Sequence, residues 1–233
     1  MLRAAAVACA GTACGGAAKP PKPPLAPVEL TAEPEPDMSS SAELGGLDER
    51  EAEQSFLSSL DALQACVKDG LDRFAYMGGS IELTVKVDTN RRAARVWAAQ
   101  SSLGERATEK CMFEALRSVA WPAPQGGAFG IARSSFEFDQ RKGVPAPAVW
   151  DAGRVAPTLE QVDGSLDACR KSGEPASRLL VTLYIGDGGR ALAGGAASEE
   201  DVDEAAVDCV VDALLAAQYP APEQAPTKVR FLL

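Results

Sequence analysis

Histidine is absent from the 233 residues. With it go the commonest general base and the commonest transition-metal ligand. Basic charge is scarce as well: 23 Lys and Arg against 33 Asp and Glu leave a formal charge of −10. No basic cluster stands out, which argues against nucleic acid or an anionic membrane surface as the main partner, since both select Lys/Arg patches. No apolar run is long enough to span a bilayer. None of the six cysteines (Cys9, Cys14, Cys66, Cys111, Cys169, Cys209) forms a Cys-x-x-Cys pair. Neither a zinc ribbon nor a thioredoxin-like redox site is therefore suggested.

These absences leave little for catalysis. A serine or cysteine nucleophile without histidine needs an unusual partner. Ser101 and Ser102 stand near Lys110, but serines there suit a strand end and a helix N-cap better. Asp187-Gly188-Gly189 lacks the ligand series of a calcium loop and reads as a turn. The acidic run Glu199–Glu204 opens a helix, where carboxylates favour the positive dipole end. No catalytic residue, cofactor or metal ligand is expected.

The N-terminus, MLRAAAVACAGTAC, has Arg3, a short weakly apolar stretch from Ala4 to Ala13, and small residues before Cys14. That pattern describes an export signal. It also resembles a bacterial lipobox, with Cys14 as the lipidated residue, although Gly11 stands where Leu is usual. The alternative is an Ala-rich start without processing. Residues 19–46 then carry seven of the sixteen prolines, followed by a Ser/Gly stretch, and read as an extended tether.

What the chain has in abundance is self-similarity. CMFEALRSVAWPAP (111–124) returns as CVVDALLAAQYPAP (209–222), with six of fourteen positions identical. At a constant offset of 98, residues 78–124 align without a gap onto 176–222. Further upstream, CVKDG (66–70) matches CRKSG (169–173) at an offset of 103. So long a period indicates two tandem domains rather than a solenoid.

Each copy shows one order of elements. A helix near 49–69 places Phe56, Leu60, Leu63 and Val67 on one face; a weaker counterpart lies near 158–172. IELTVKV (81–87) and LLVTLYI (179–185) alternate as half-buried strands do. Turns and return strands follow at 93–100 and 191–198, then second helices halted by Pro122 and Pro220. Final strands at 129–138 and 228–233 close each copy. The expected fold is α+β: two tandem α-β-β-α-β domains, each a small, mainly antiparallel three-stranded sheet with two helices on one face. The segments are 1–14 (signal and lipobox), 15–47 (tether), 48–139 (first copy), 140–157 (linker) and 158–233 (second copy).

In each copy one cysteine ends the first helix and another begins the second. Helices sharing a sheet face can bring such ends together, so Cys66–Cys111 and Cys169–Cys209 are the expected disulfides; four buried thiols are the alternative. Trp121 and Tyr219, each before Pro-x-Pro, suit either a plug at a helix end or an exposed partner anchor.

GGSIELTVKV, SSLGERATEKC and WPAPQGG, closing on Phe136 and Phe138, resemble the AgmX/PglI C-terminal domain, a TonB C-terminal-like family of cell-envelope proteins. The resemblance covers roughly 50–139, at Cys66, Gly79, Ser101-Ser102-Leu103-Gly104, Cys111, Trp121-Pro122 and Gly126-Gly127. The second copy departs from it, with Glu199-Glu200-Asp201-Val202 for the Ser-Ser-Leu-Gly and Gln224-Ala225 for the Gly-Gly. The resemblance implies an envelope location and a TonB-like fold, but no reaction.

The expectation is a non-catalytic lipoprotein, on the periplasmic side and anchored to the outer membrane by lipid on Cys14. It docks an envelope protein, by strand addition at an edge such as Val229–Phe231, with Trp121 and Tyr219 as further anchors. An exported thiol/disulfide protein with one labile cysteine pair, or a structural envelope spacer, are the alternatives.

Overall fold

A computed structural model of the chain describes residues 44–171 and 178–233. Cys14 and most of the expected tether lie outside the described residues. Asp48 opens α1 (Glu49–Arg73): its carboxylate accepts the Glu51 amide at 2.9 Å, and Glu49 and Glu51 occupy the positive end of the helix. The helix runs past Gly70, whose carbonyl accepts the closing amide of Phe74. Strands β1 (Gly79–Asp88) and β2 (Ala93–Ser101) form a hairpin, α2 (Arg106–Arg117) follows, and β3 (Phe129–Phe138) returns beside β1. The first sheet is antiparallel throughout, in the order β2-β1-β3.

A second series then runs β4 (Ala148–Trp150), α3 (Ala156–Lys171), β5 (Leu180–Ile185), β6 (Ala191–Ala197), α4 (Glu204–Leu215) and β7 (Thr227–Leu232). Its sheet has four strands, in the order β4-β7-β5-β6. The fold is thus α+β, with four α-helices and two mainly antiparallel sheets among the described residues. The two hairpins share one register: Val85 faces Val96, and Leu183 faces Gly194.

Alternation along the strands builds the cores. Ile81, Leu83, Val85 and Val87 are buried with Leu63 of α1 and Met112 and Leu116 of α2. Val181, Leu183 and Ile185 are buried with Leu166 of α3 and Val210 and Leu214 of α4. Each such side chain contributes about 1.5–3 kcal/mol relative to exposure. Cys66 is joined to Cys111 and Cys169 to Cys209, with Cα atoms 5.7 and 5.6 Å apart. The bridges tie the C-terminal part of each first helix to the middle of the second, not to its start as the spacing suggested, because α2 and α4 begin five residues before Cys111 and Cys209.

Two segments depart from the expected boundaries. Residues 44–47, assigned to the tether, are bound to the first sheet: the Gly45 amide donates to the Phe129 carbonyl at 2.6 Å, and Leu47 packs on the core. Residues 140–157, assigned to a linker, contain β4, which pairs in parallel with β7 through Trp150 and Val229. That strand makes the second sheet four-stranded rather than three-stranded. It also covers the first half of β7, residues 227–229, so of the expected edge Val229–Phe231 only Arg230 and Phe231 lie beyond the β4 pairing.

The two sheets meet through β2 and β6. Both end their sheets, and they lie side by side: the Ser198 amide donates to the Ala98 carbonyl at 2.9 Å, and Gln100 to Glu199 at 3.0 Å. Thr182 Oγ1 donates to the Ser101 carbonyl at 3.2 Å, and the Phe74 and Tyr184 rings meet edge to face at 4.8 Å.

Candidate partner-binding groove

Trp121 is fully buried and Tyr219 nearly so. Their polar tips explain why an indole and a phenol serve one purpose. Trp121 Nε1 donates to the Leu116 carbonyl at 3.0 Å, and the Tyr219 hydroxyl to the Leu214 carbonyl at 2.9 Å. Each binds a carbonyl in the last turn of a helix while its ring seals the core, and the Leu214 carbonyl takes the Ala217 amide at 3.3 Å as well. Their own amides bind the Arg91 and Gly189 carbonyls of the preceding turns. Val229 and Phe231 are buried as well. None of these four expected anchors can present its side chain to a partner, because each is spent on the core.

Ser101 and Lys110 are not brought together as a catalytic pair. The Ser101 hydroxyl donates to Glu109 Oε1 at 2.6 Å, and Ser102 Oγ accepts the Ser80 amide at 2.9 Å. Lys110 turns to α4 and binds Asp208 at 2.6 Å. Glu109 is completely buried, where its carboxylate takes the Ala196 amide and stands 3.5 Å from Arg106. Burial pushes its pKa up to about 7, against the opposing pull of Arg106 and Ser101. A Cβ at residue 195 would lie 2.5 Å from Oε1, so Gly195 is what lets the carboxyl fit. No substrate can reach this cluster; it ties the end of β2 to α2.

The acidic run is not simply a solvated helix start. Asp203 caps α4, and Asp201 binds Arg95 at 3.0 Å. Glu204 binds Arg117 at 2.7 Å and Lys110 at 3.6 Å. A cleft of about 460 Å³ lies there, lined by Arg73, Glu105, Arg106, Lys110 and Asp208, and these charges already satisfy one another. Burial, then Arg230, lowers the pKa of Lys228 to about 8, and its ammonium donates to the Gly78 carbonyl at 2.8 Å. Asp187-Gly188-Gly189 is a turn with both glycines at positive φ, 70° and 78°. The described residues hold no cluster of three or more His, Cys, Asp or Glu that could bind a metal.

Among the described residues the outer side of β3 is open. It pairs with β1 on one side, and on the other Phe129, at its start, meets Leu44 and Gly45. Residues 131–138 have no partner strand on that side among the described residues. Beside it runs a groove of about 550 Å³ between β3 and α1, with Phe56, Leu57 and Leu60 on one wall and Ile131, Ala132 and Phe136 on the other. Leu57 is 50% exposed and Ile131 36%. Glu49, Glu53 and Arg133 add charges to the rim. Its sequence signals were Leu57, an apolar residue off the buried stripe of α1, and the alternation of β3. No family model, no curated protein and no solved structure matches the chain.

Proposed function

We propose that the chain is a non-catalytic interaction module of the cell envelope, built from two tandem α-β-β-α-β domains resembling the TonB C-terminal-like AgmX/PglI domain. It is held on the periplasmic side of the outer membrane by lipid on Cys14, and it docks an extended segment of an envelope protein. The observation that carries this reading is the unpaired edge of β3 beside an apolar groove. An extended partner gains main-chain hydrogen bonds from such an edge and seats alternate side chains in the groove. The two disulfides fit an oxidising compartment.

The test uses exposed positions, where substitution spares the fold. Leu57→Glu with Ile131→Lys should abolish recovery of the partner from envelope extract while leaving thermal stability unchanged. Recovery equal to wild type would contradict docking in this groove.

One observation favours the alternative of a labile redox pair: Cys111 and Cys209 are exposed, although Cys66 and Cys169 are buried. Titration against a glutathione buffer separates the two readings, since structural bridges resist reduction at potentials where labile ones open.

A further inference from the structure

Lys110 and Asp208 occupy the same place in the repeated sequence, 98 residues apart, and they touch across the contact between the two halves. Their neighbours one turn upstream, Arg106 and Glu204, are equivalent in the same way. Arg106 binds Asp208 at 2.7 Å, and Lys110 approaches Glu204 at 3.6 Å. Residue i of one half thus meets j of the other, and j meets i, which is the signature of a two-fold interface. The strands follow this symmetry in part. β2 and β6 approach through Ala98 and Ser198, and Arg95 reaches Asp201, both centred on the equivalent pair Ala99 and Ala197, whereas Gln100 to Glu199 falls off that centre.

We propose that β2–α2 and β6–α4 form a fused dimer interface, in which segregated charge makes each half fit only the other. The basic members, Arg106 and Lys110, all stand on α2, and the acidic ones, Glu204 and Asp208, on α4. Two first halves would set four cations against one another, and two second halves four carboxylates. Like-charge juxtaposition is the usual device for rejecting a self-partner. Shape is segregated too: Trp97 lines a small pocket with Val207, while the equivalent pair is Gly195 against Glu109. The partner of the β2–α2 face is therefore the chain's own second half, and this face is closed to other proteins. The inference does not rest on the β3 groove.

The full chain tests this once a protease site is placed between Gly143 and Val144. Each disulfide lies within one half, so cleavage leaves no covalent link between them. The cut protein should elute as one complex near 50 mM salt, and the released halves, once separated and remixed, should pair only with each other. In a Glu109→Gln background, Arg106→Glu with Lys110→Asp should weaken the complex by about tenfold or more. Adding Glu204→Arg and Asp208→Lys, which completes the exchange of these equivalent residues, together with Arg117→Leu to remove the cation that binds Glu204 at 2.7 Å, should restore it to within about threefold. Cut halves that separate at micromolar concentration, halves that self-pair as readily as they cross-pair, or a completed exchange that fails to restore binding would each overturn the proposal.

Discussion

Ser101 donates a hydrogen bond to Glu109 at 2.6 Å in a site that neither solvent nor substrate reaches. The pKa of Glu109 is raised from 4.5 to about 7 by burial. A carboxyl whose folded pKa is raised contributes stability that is complete below its unfolded pKa and is lost as pH rises through the folded one. Here the window is about 4.5 to 7, and the loss is on the order of 3 kcal/mol. Asp208 and Glu105 act in the opposite sense. The cations and hydrogen-bond donors around them hold both below their ordinary values despite burial, so their contribution fades as pH falls into the carboxylate range. Urea midpoints should peak in mildly acidic buffer and fall toward pH 8. Glu109→Gln should be the more stable protein at pH 8 and should flatten that fall; an unchanged slope would remove Glu109 as its cause.

The disulfides close loops with sequence separations of 45 and 40. Each is worth ~4 kcal/mol in the chain-entropy account, a large share of the ~5–15 kcal/mol by which a domain is stable. Cys66→Ser with Cys111→Ser should lower the melting temperature by more than 10 °C, and reductant should then produce only the remaining fall due to Cys169–Cys209. A shift of a degree or two would show that the helices hold together without the bridge.

Tyr219→Phe keeps the ring and removes one of two donors on the Leu214 carbonyl, which retains the Ala217 amide at 3.3 Å, so the loss should be about 1 kcal/mol or less. Trp121→Phe should exceed it, at about 1–3 kcal/mol or more, because it leaves the Leu116 carbonyl without its indole donor and opens space against Phe56, whose ring stands edge-on 5.0 Å away. Chemical denaturation of the two variants measures both. Equal, negligible losses would mean that the helix ends find other donors.

Most of the fold could be read in the sequence where burial imposes a period. The alternation 81–87 and the spacing Met112, Leu116 belong to elements that bury one face, and the repeat located the same elements twice. β4 escaped because three residues between Pro145, Pro147 and Asp151 carry no period; only the β7 edge makes them a strand. Trp121 and Tyr219 were ambiguous for a different reason: an aromatic before proline can face in or out, and only the carbonyls of Leu116 and Leu214 decide. Glu109 left one faint signal, a carboxylate three residues before Met112 on the apolar stripe of α2. The groove beside β3 needed the sheet order, since any outer strand would have looked equally free from its sequence.

Strand addition at β3, proposed above, is open to residue-resolved amide exchange. In the free protein, every second amide between 131 and 137 should exchange rapidly, because those amides lack a partner strand, while their neighbours bonded to β1 stay protected. In the complex with the partner recovered from the envelope, those same alternating amides should slow by tenfold or more. A complex in which they exchange as fast as before, while other surfaces slow, would rule out strand addition at β3.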